Sequence, residues 1–297
     1  MTLLQLEVFV AVVEAGSFTK AGEKLNLSQS GVSHAIAGLE AELGISLLTR
    51  SRSGVSLTEA GEAVLVHARE VLNRLEQIRQ SAAAAAGLQI GTLRVGSFPS
   101  VSAKLLPGLL RLFRDRYPGI ELTLFEGSYP EIRAWIQAGA VDAAFFPYPE
   151  EGLEIVPLLE DELVVVVPDG HPCSSRSELT VGEIAAEPFI MPKAGCEVLV
   201  EAAFVNHGYA PNTRFEVADT ATILAMVREG LGITVVPRLT LPDSVPGLHV
   251  CPLAPRTCRQ IGLAVRSLQS PSPAAAAFLK EAQAWVNRQF RAKPMEK

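Results

Sequence analysis

From Ser28 to Leu43 the apolar residues Val32, Ile36, Leu39 and Leu43 recur at spacings of four, three and four. That period lays one apolar stripe along a helix and leaves the opposite side free. The free side carries Ser30, Ser33, His34 and Ala37, which are short or polar and never acidic. Ser28 is a good N-cap and places Gln29 in the first exposed turn. Upstream, a tight turn bearing Asn26 separates this helix from a shorter one that starts at Ser17 and buries Phe18, Ala21 and Leu25. A first helix presents Leu3, Leu6, Val10 and Val13 on one face. Two helices joined by a tight turn, the second with a polar, acid-free face, make a unit that enters a DNA major groove. The run from Arg50 to Leu57 then reads as a hairpin, with Gly54 at its turn. Residues 1–58 are therefore expected to form a winged helix-turn-helix domain. Gln29, Ser30, Ser33 and His34 are its candidates for base edges, and Arg50 and Arg52 for the backbone or minor groove. Taken singly, each is also what any solvated surface shows; only the set points to DNA.

One long helix is expected next. Thr58 can cap it, and Glu59 and Glu62 in its first turn suit the helix dipole. Val64, Ala68, Val71, Leu75, Ile78, Ala82 and Ala85 alternate spacings of four and three, a heptad seam held for three repeats. At ~1.5 Å per residue the helix is roughly 40 Å long. No other segment offers a helix of matching length to cover the seam, so a seam between two copies is favoured over the core of a bundle. Residues 59–87 are thus a linker and dimerisation helix, ending in the alanine run Ala82–Ala86 and a hinge at Gly87.

Charge sets a condition on the DNA reading. The chain carries a net charge of −6, and its first 87 residues hold seven Lys/Arg against nine Asp/Glu. Phosphate neutralisation usually supplies affinity. Here placement must replace bulk field, through Lys20, Lys24, Arg50 and Arg52 with His34, and pairing of copies must add avidity. With 48% hydrophobic and 20% charged residues the composition is that of an ordinary globular protein. No apolar run is long enough to span a bilayer, and the first helix contains Glu7 and Glu14, unlike a signal peptide, so a cytoplasmic location without membrane contact is expected. Cys173, Cys196, Cys251 and Cys258 form no C-x-x-C pair, and the five histidines are scattered. No G-x-S-x-G, P-loop or H-E-x-x-H motif occurs, so no catalytic residue, metal site or cofactor is expected.

From residue 91 strands and helices alternate, which argues an α/β fold with mostly parallel strands. Ligands in such folds sit beyond the carboxyl ends of strands and at helix N-termini. Those ends supply Ser97, Phe98 and Ser100 after the first strand, Gly127 and Ser128 after the second, and Phe146 in the third. Lys193, Cys196, Thr220 and Thr222 come from the second half. Hydroxyls and backbone N–H groups dominate, which suits a small anion such as a carboxylate. Each serine is also an ordinary helix cap, Ser102 most plainly, and Lys193 is as well placed for water as for a ligand. Cys196 precedes a helix whose dipole could lower its pKa, which makes it a candidate redox thiol; the inert reading is favoured.

The N-terminal segment resembles the DNA-binding domain of the LysR-type transcriptional regulators. The likeness rests on Leu3-Leu4-Gln5-Leu6-Glu7-Val8-Phe9, on Gly16-Ser17-Phe18-Thr19-Lys20-Ala21, and on the run from Ser28 through Leu57-Thr58-Glu59-Ala60-Gly61. It extends more weakly over the rest of the chain. This chain departs at Ser30 and Gly31, where proline and alanine are common, at His34, where arginine is common, and near Leu48, where phenylalanine is usual; its operator is therefore its own. The resemblance implies a multidomain α+β protein in which residues 91–297 form an effector-binding domain of two Rossmann-like lobes, as in periplasmic binding proteins. Lobe I would be 91–161 and 267–297, and lobe II 162–266, with crossings near Leu159–Glu162 and Arg266–Ser267. It further implies a dimer of dimers on double-stranded promoter DNA, a small-molecule effector, and RNA polymerase as a further partner. Peroxide-sensing members carry a reactive cysteine near Cys196 and a resolving one a helix later, where this chain has Ala202, Ala203 and Phe204. A solute-binding protein, an α/β enzyme, and a regulator answering only to protein partners or oxidation remain the competing readings.

Overall fold

The computed structural model describes residues 1–51, 54–86 and 89–290. Its N-terminal domain is built from α1 (Leu3–Ala15), α2 (Phe18–Leu25), α3 (Gln29–Leu43), β1 (Leu48–Ser51) and β2 (Gly54–Leu57). Caps fix every helix start: Thr2, Ser17 and Ser28 each accept a backbone N–H of the first turn. Asn26 closes α2 in the left-handed region, at φ 54°, and turns the chain toward α3. Gly22 lets that turn close, since a Cβ there would stand 2.6 Å from the Leu27 carbonyl oxygen.

Three expectations shift here. The stripe of α1 is not Leu3, Leu6, Val10 and Val13 alone. The helix lies between α2 and α3 on one side and a long helix on the other, so Val8, Phe9, Ala11 and Val12 are also buried, whereas Leu3 stays exposed. On α3, Val32, Ile36 and Leu39 are buried, but Leu43 is 37% exposed, because the last turn runs past the small core. The hairpin begins at Leu48, and Gly54 opens its second strand, paired with Ser51.

Helix α4 (Glu59–Ala85) follows, capped by Thr58, which accepts the Gly61 N–H at 2.9 Å. Gly61 is obligatory, since a Cβ there would meet the Leu47 carbonyl oxygen at 2.1 Å. Leu65 and Ala68 join the winged core, while Val71 and Ile78 farther along are 43% and 66% exposed. The second half of α4 is docked on the C-terminal domain. Asn73 Nδ2 donates to the Gly139 carbonyl at 2.9 Å, and Asn73 Oδ1 accepts from Arg94 Nη2 at 2.6 Å. Gln80, only 4% exposed, donates to the Thr92 carbonyl at 3.1 Å and accepts the Ala274 N–H at 3.3 Å. The helix is thus bolted down before the alanine run; Gly87, the expected hinge, lies outside the described residues.

The C-terminal domain begins with β3 (Ile90–Ser97), α5 (Pro99–Lys104), α6 (Leu106–Arg116), β4 (Gly119–Glu126), α7 (Tyr129–Gln137) and β5 (Ala143–Tyr148). The long β6 (Glu154–Pro168) leads to β7 (Leu179–Thr180), α8 (Val181–Ile184), β8 (Pro188–Pro192), α9 (Glu197–Val205), β9 (Asn212–Val217), α10 (Thr220–Arg228) and β10 (Thr234–Pro237). Last come β11 (Leu248–Ala254), β12 (Cys258–Val265) and α11 (Pro273–Phe290). The sheet runs β4-β3-β5-β12-β6-β11-β7, and β10 also pairs with β6. In this domain the pairs that involve neither β6 nor β12, such as β3 with β4, β8 with β9 and β7 with β11, are parallel. Those made by β6 and β12 with each other, and with β5, β10 and β11, are antiparallel. Two crossings made in opposite directions require this, which corrects the expectation of a mostly parallel sheet.

Strand β6 carries the first crossing unbroken. Its lower half, Glu154–Glu162, pairs with β12, and its upper half, Leu163–Pro168, pairs with β10 and β11. Above the crossing its residues alternate between two cores, Leu163, Val165 and Val167 in one and Val164 and Val166 in the other, so both sheet faces are covered. The return crossing comes earlier than Arg266–Ser267. Ile261, Leu263, Ala264 and Val265 of β12 already belong to the core of lobe I, which places it between β11 and the start of β12.

Candidate functional site

On α3, Gln29, Ser30 and His34 are exposed and Ser33 half-exposed. Ser30 and His34 lie opposite Val32, Ile36 and Leu39, while Gln29 and Ser33 border that stripe in the first turns of the helix, so the core fixes which way the set points. Gln29 Nε2 reaches Ser33 Oγ at 3.1 Å, and the Ser28 and Ser30 hydroxyls are 2.9 Å apart. The result is an acid-free strip of hydroxyl, amide and imidazole groups on the outer face. Glu40, farther along α3, is turned inward: its Oε1 accepts the Leu47 and Leu48 N–H groups at 2.7 and 3.1 Å and holds the hairpin to the helix. Lys24 is already paired with Glu14 at 2.8 Å, whereas Lys20 is exposed. The Arg50 backbone pairs with Val55 in the hairpin. The Arg50 side chain and Arg52 lie outside the described residues.

The second site lies where β6 and β12 cross between the lobes. Cross-strand register sets Arg259 directly opposite Asp161. The two are 4% and 2% exposed. Arg259 Nε donates to Asp161 Oδ2 at 2.8 Å, and Nη2 stands 2.7 Å from the same oxygen as an ion pair. Nη2 also donates to Ser100 Oγ at 2.6 Å and Nη1 to the Tyr129 hydroxyl at 2.8 Å, both in lobe I. The guanidinium lies over the Phe98 ring, 4.9 Å from its centroid. Tyr129 meets Phe98 edge-on at 5.1 Å and Phe146 at 5.8 Å. From lobe II, Asp161 Oδ1 accepts the Leu239 N–H at 2.9 Å. Burial pushes the Asp161 carboxyl above its usual range, against the pull of Arg259. Removing one partner of so buried a pair costs about 3–5 kcal/mol, because the other charge is stranded.

Only part of the residue set expected from sequence meets here. Phe98 and Ser100 touch Arg259, Phe146 packs on Tyr129 beside it, and Cys196 is within its electrostatic reach. Ser97 is fully buried, its hydroxyl turned to the Phe98 carbonyl at 3.4 Å. The Gly127 N–H is taken by the Ser97 carbonyl at 3.0 Å. Ser128 caps α7, its N–H and hydroxyl both donating to Glu131 Oε2. Thr222 likewise donates twice to Asp219, the N-cap that precedes Thr220 on α10. Lys193 pairs with Glu216 at 3.4 Å, in an ion pair that stays open to solvent. Ser102 is no cap: Phe98 precedes α5, and the buried Ser102 hydroxyl has no hydrogen-bond partner among the described residues. Arg259, Asp161 and Tyr129 were missed. A signal existed for the charged pair: Arg259 is in phase with Ile261 and Leu263, and Asp161 with Leu163 and Val165, on the inward alternation of two strands.

Cys196 sits at the N-terminus of α9, yet burial outweighs the helix dipole. The thiol is pushed up to about 11, mainly by desolvation and despite Arg259 nearby. Among the described residues no cluster of His, Cys, Asp or Glu could hold a metal ion, and no helix is long and apolar enough to cross a membrane.

Both domains have relatives among known proteins. Residues 3–62 match the model of the bacterial regulatory helix-turn-helix proteins of the lysR family, and residues 86–287 that of the LysR substrate binding domain. The chain is 39% identical over 286 residues to the uncharacterized HTH-type transcriptional regulator YvbU of Bacillus subtilis, spanning 95% of this chain and 98% of that one. It is 33% identical over 276 residues to a probable hydrogen peroxide-inducible genes activator of Mycobacterium avium, spanning 90% and 88%. Among solved structures, a full-length OxyR variant from Pseudomonas aeruginosa superposes with a TM-score of 0.81 at 25% identity, covering 100% of this chain and 99% of that one. Full-length CbnR in complex with its target DNA matches with a TM-score of 0.65 at 26% identity, covering 96% and 100%. With a helix-turn-helix in front and an effector-binding domain behind, this chain belongs to the LysR family of DNA-binding transcriptional regulators.

Proposed function

We propose that paired copies of this regulator read an interrupted inverted repeat with α3, and that a small anion bound between the lobes changes how the copies are arranged on promoter DNA. The acid-free strip of Gln29, Ser30, Ser33 and His34, oriented by the buried stripe of the same helix, carries the DNA part. Residues 1–58, 59–87 and 91–297 divide as DNA-reading, pairing and sensing segments, with Val71 and Ile78 on the seam between two α4 helices. Effector domains pair in turn to give a dimer of dimers, and a change in the angle between lobes alters half-site spacing and DNA bend. The anion is met by Arg259 with Ser100, Tyr129 and Phe98, where the two crossing strands bring the lobes together.

Footprinting of genomic fragments captured by the full-length protein tests this. The expected result is a discrete inverted repeat, with Gln29→Ala and His34→Ala each costing about 1–3 kcal/mol of discrimination at single base pairs. No enrichment over random fragments at low salt would sink the reading. A second reading, oxidation of Cys196, draws on the peroxide-inducible relative and on Arg259 near the thiol. The buried, protonated state of that thiol and the lack of a cysteine at Ala202–Phe204 favour ligand binding over it.

A further inference from the structure

Arg259 and Asp161 are neighbours across the two strands that join the lobes, and both are nearly free of solvent. The partners of Arg259 divide by charge. Ser100 and Tyr129 offer neutral hydroxyls from lobe I, and Asp161 offers the negative charge. The Asp161 carboxylate has a second attachment, through Oδ1, to the Leu239 N–H of lobe II. One acidic side chain therefore satisfies the cation of the cleft and ties the cleft to lobe II. A second anion placed beside this pair would stand within a few ångströms of a carboxylate in a site with little water, and would be repelled.

We propose that Asp161 is an internal occupant of the effector site: its carboxylate stands on Arg259 where an effector's carboxylate docks, and effector binding is the exchange of one for the other. This rests on the reading that the inter-lobe site takes a small anion. The exchange leaves Arg259 with the same set of partners, one carboxylate and two hydroxyls. What changes is Asp161. A displaced, charged Asp161 has to reach water, and at 2% exposure it reaches water only when the lobes part around it. Leu239 loses its acceptor in the same step, and the Arg238–Thr240 turn that packs on α5 is loosened. A tethered carboxylate also competes at high effective concentration, so simple anions bind weakly, and selectivity falls to effectors with further contacts.

The test titrates sodium acetate into the full-length wild type, Asp161→Asn and Arg259→Gln at constant ionic strength held with sodium chloride. Calorimetry reads affinity, and hydrogen exchange reads the Leu239 amide. Asp161→Asn is expected to bind acetate at least about tenfold tighter than wild type, including the case in which wild-type binding is too weak to measure. Arg259→Gln is expected not to bind. In wild type, acetate at saturating concentration is expected to strip protection from the Leu239 amide. Equal affinity of wild type and Asp161→Asn, or unchanged Leu239 protection in saturated wild type, overturns the exchange while leaving the anion site standing. Acetate binding that survives in Arg259→Gln, or acetate binding by none of the three, overturns the anion site together with the exchange. Should Asp161→Asn fail to fold, Asp161→Ser takes its place in the same titration, and no gain in acetate affinity over wild type overturns the exchange.

Discussion

The Cys196 thiol is 5% exposed and its pKa is pushed up to about 11, chiefly because burial penalises the thiolate. A raised pKa in the folded state means the neutral form is favoured by folding. That contribution is full below the ordinary thiol value of 9.0 and fades as pH rises through about 11. Iodoacetamide should therefore label Cys196 slowly in the native protein at pH 8 and rapidly in urea, as mass spectrometry of the labelled peptide would record. Cys196→Ser should keep effector-dependent DNA binding and lose part of the destabilisation expected above pH 9; loss of regulation in that variant would instead speak for thiol chemistry. Residues such as Ser28, Asn26 and Thr58 could be read from sequence because caps and turns are local. Arg259 and Asp161 could not be paired that way: they are 98 residues apart, and only the register of two crossing strands makes them neighbours.

Elements were legible in proportion to their own periodicity. The α3 stripe, the heptads of α4 and the closing helix α11 announce themselves, whereas β8 is a short run flanked by Pro188 and Pro192, and β9 is exposed along most of its length, with only weak alternation. The first half of β6 contains Pro157 and several acids, so it reads as a loop until its partner β12 is known. The length of α4 was legible too, but its docking was not, because Gln80 acts through the distant Thr92 and Ala274. Gln80→Leu should lower stability by about 1–3 kcal/mol, since it strands buried backbone groups, and urea denaturation of the full chain would measure it. Ile78→Glu, at a 66% exposed seam position, should leave that stability almost unchanged yet weaken self-association by tenfold or more in sedimentation equilibrium. An unaltered oligomer would remove α4 from the proposed pairing surface.

At the scale of the molecule, the winged domain, α4 and lobe I form one continuous stack, because Leu65 and Ala68 belong to the first core while Asn73 and Gln80 are fastened to the third unit. Lobe II is joined to this stack through the β6 and β12 crossings and the contacts around Arg259. A chain lacking residues 1–58 should lose operator binding altogether in gel-shift assays while retaining acetate-dependent exchange at Leu239; loss of both would contradict separable reading and sensing. The fastening of α4 from Asn73 to Gln80 has a mechanical consequence. A rod leaving Asn73 reaches ~22 Å to Thr58, so a turn of about 8° at its root swings the tip by ~3 Å, close to the ~3.4 Å rise between successive base pairs. The clamp at Asn73 and Gln80 thereby makes the helix a lever arm. It converts a tilt too small to disturb either core into a displacement on the scale of one step along the operator.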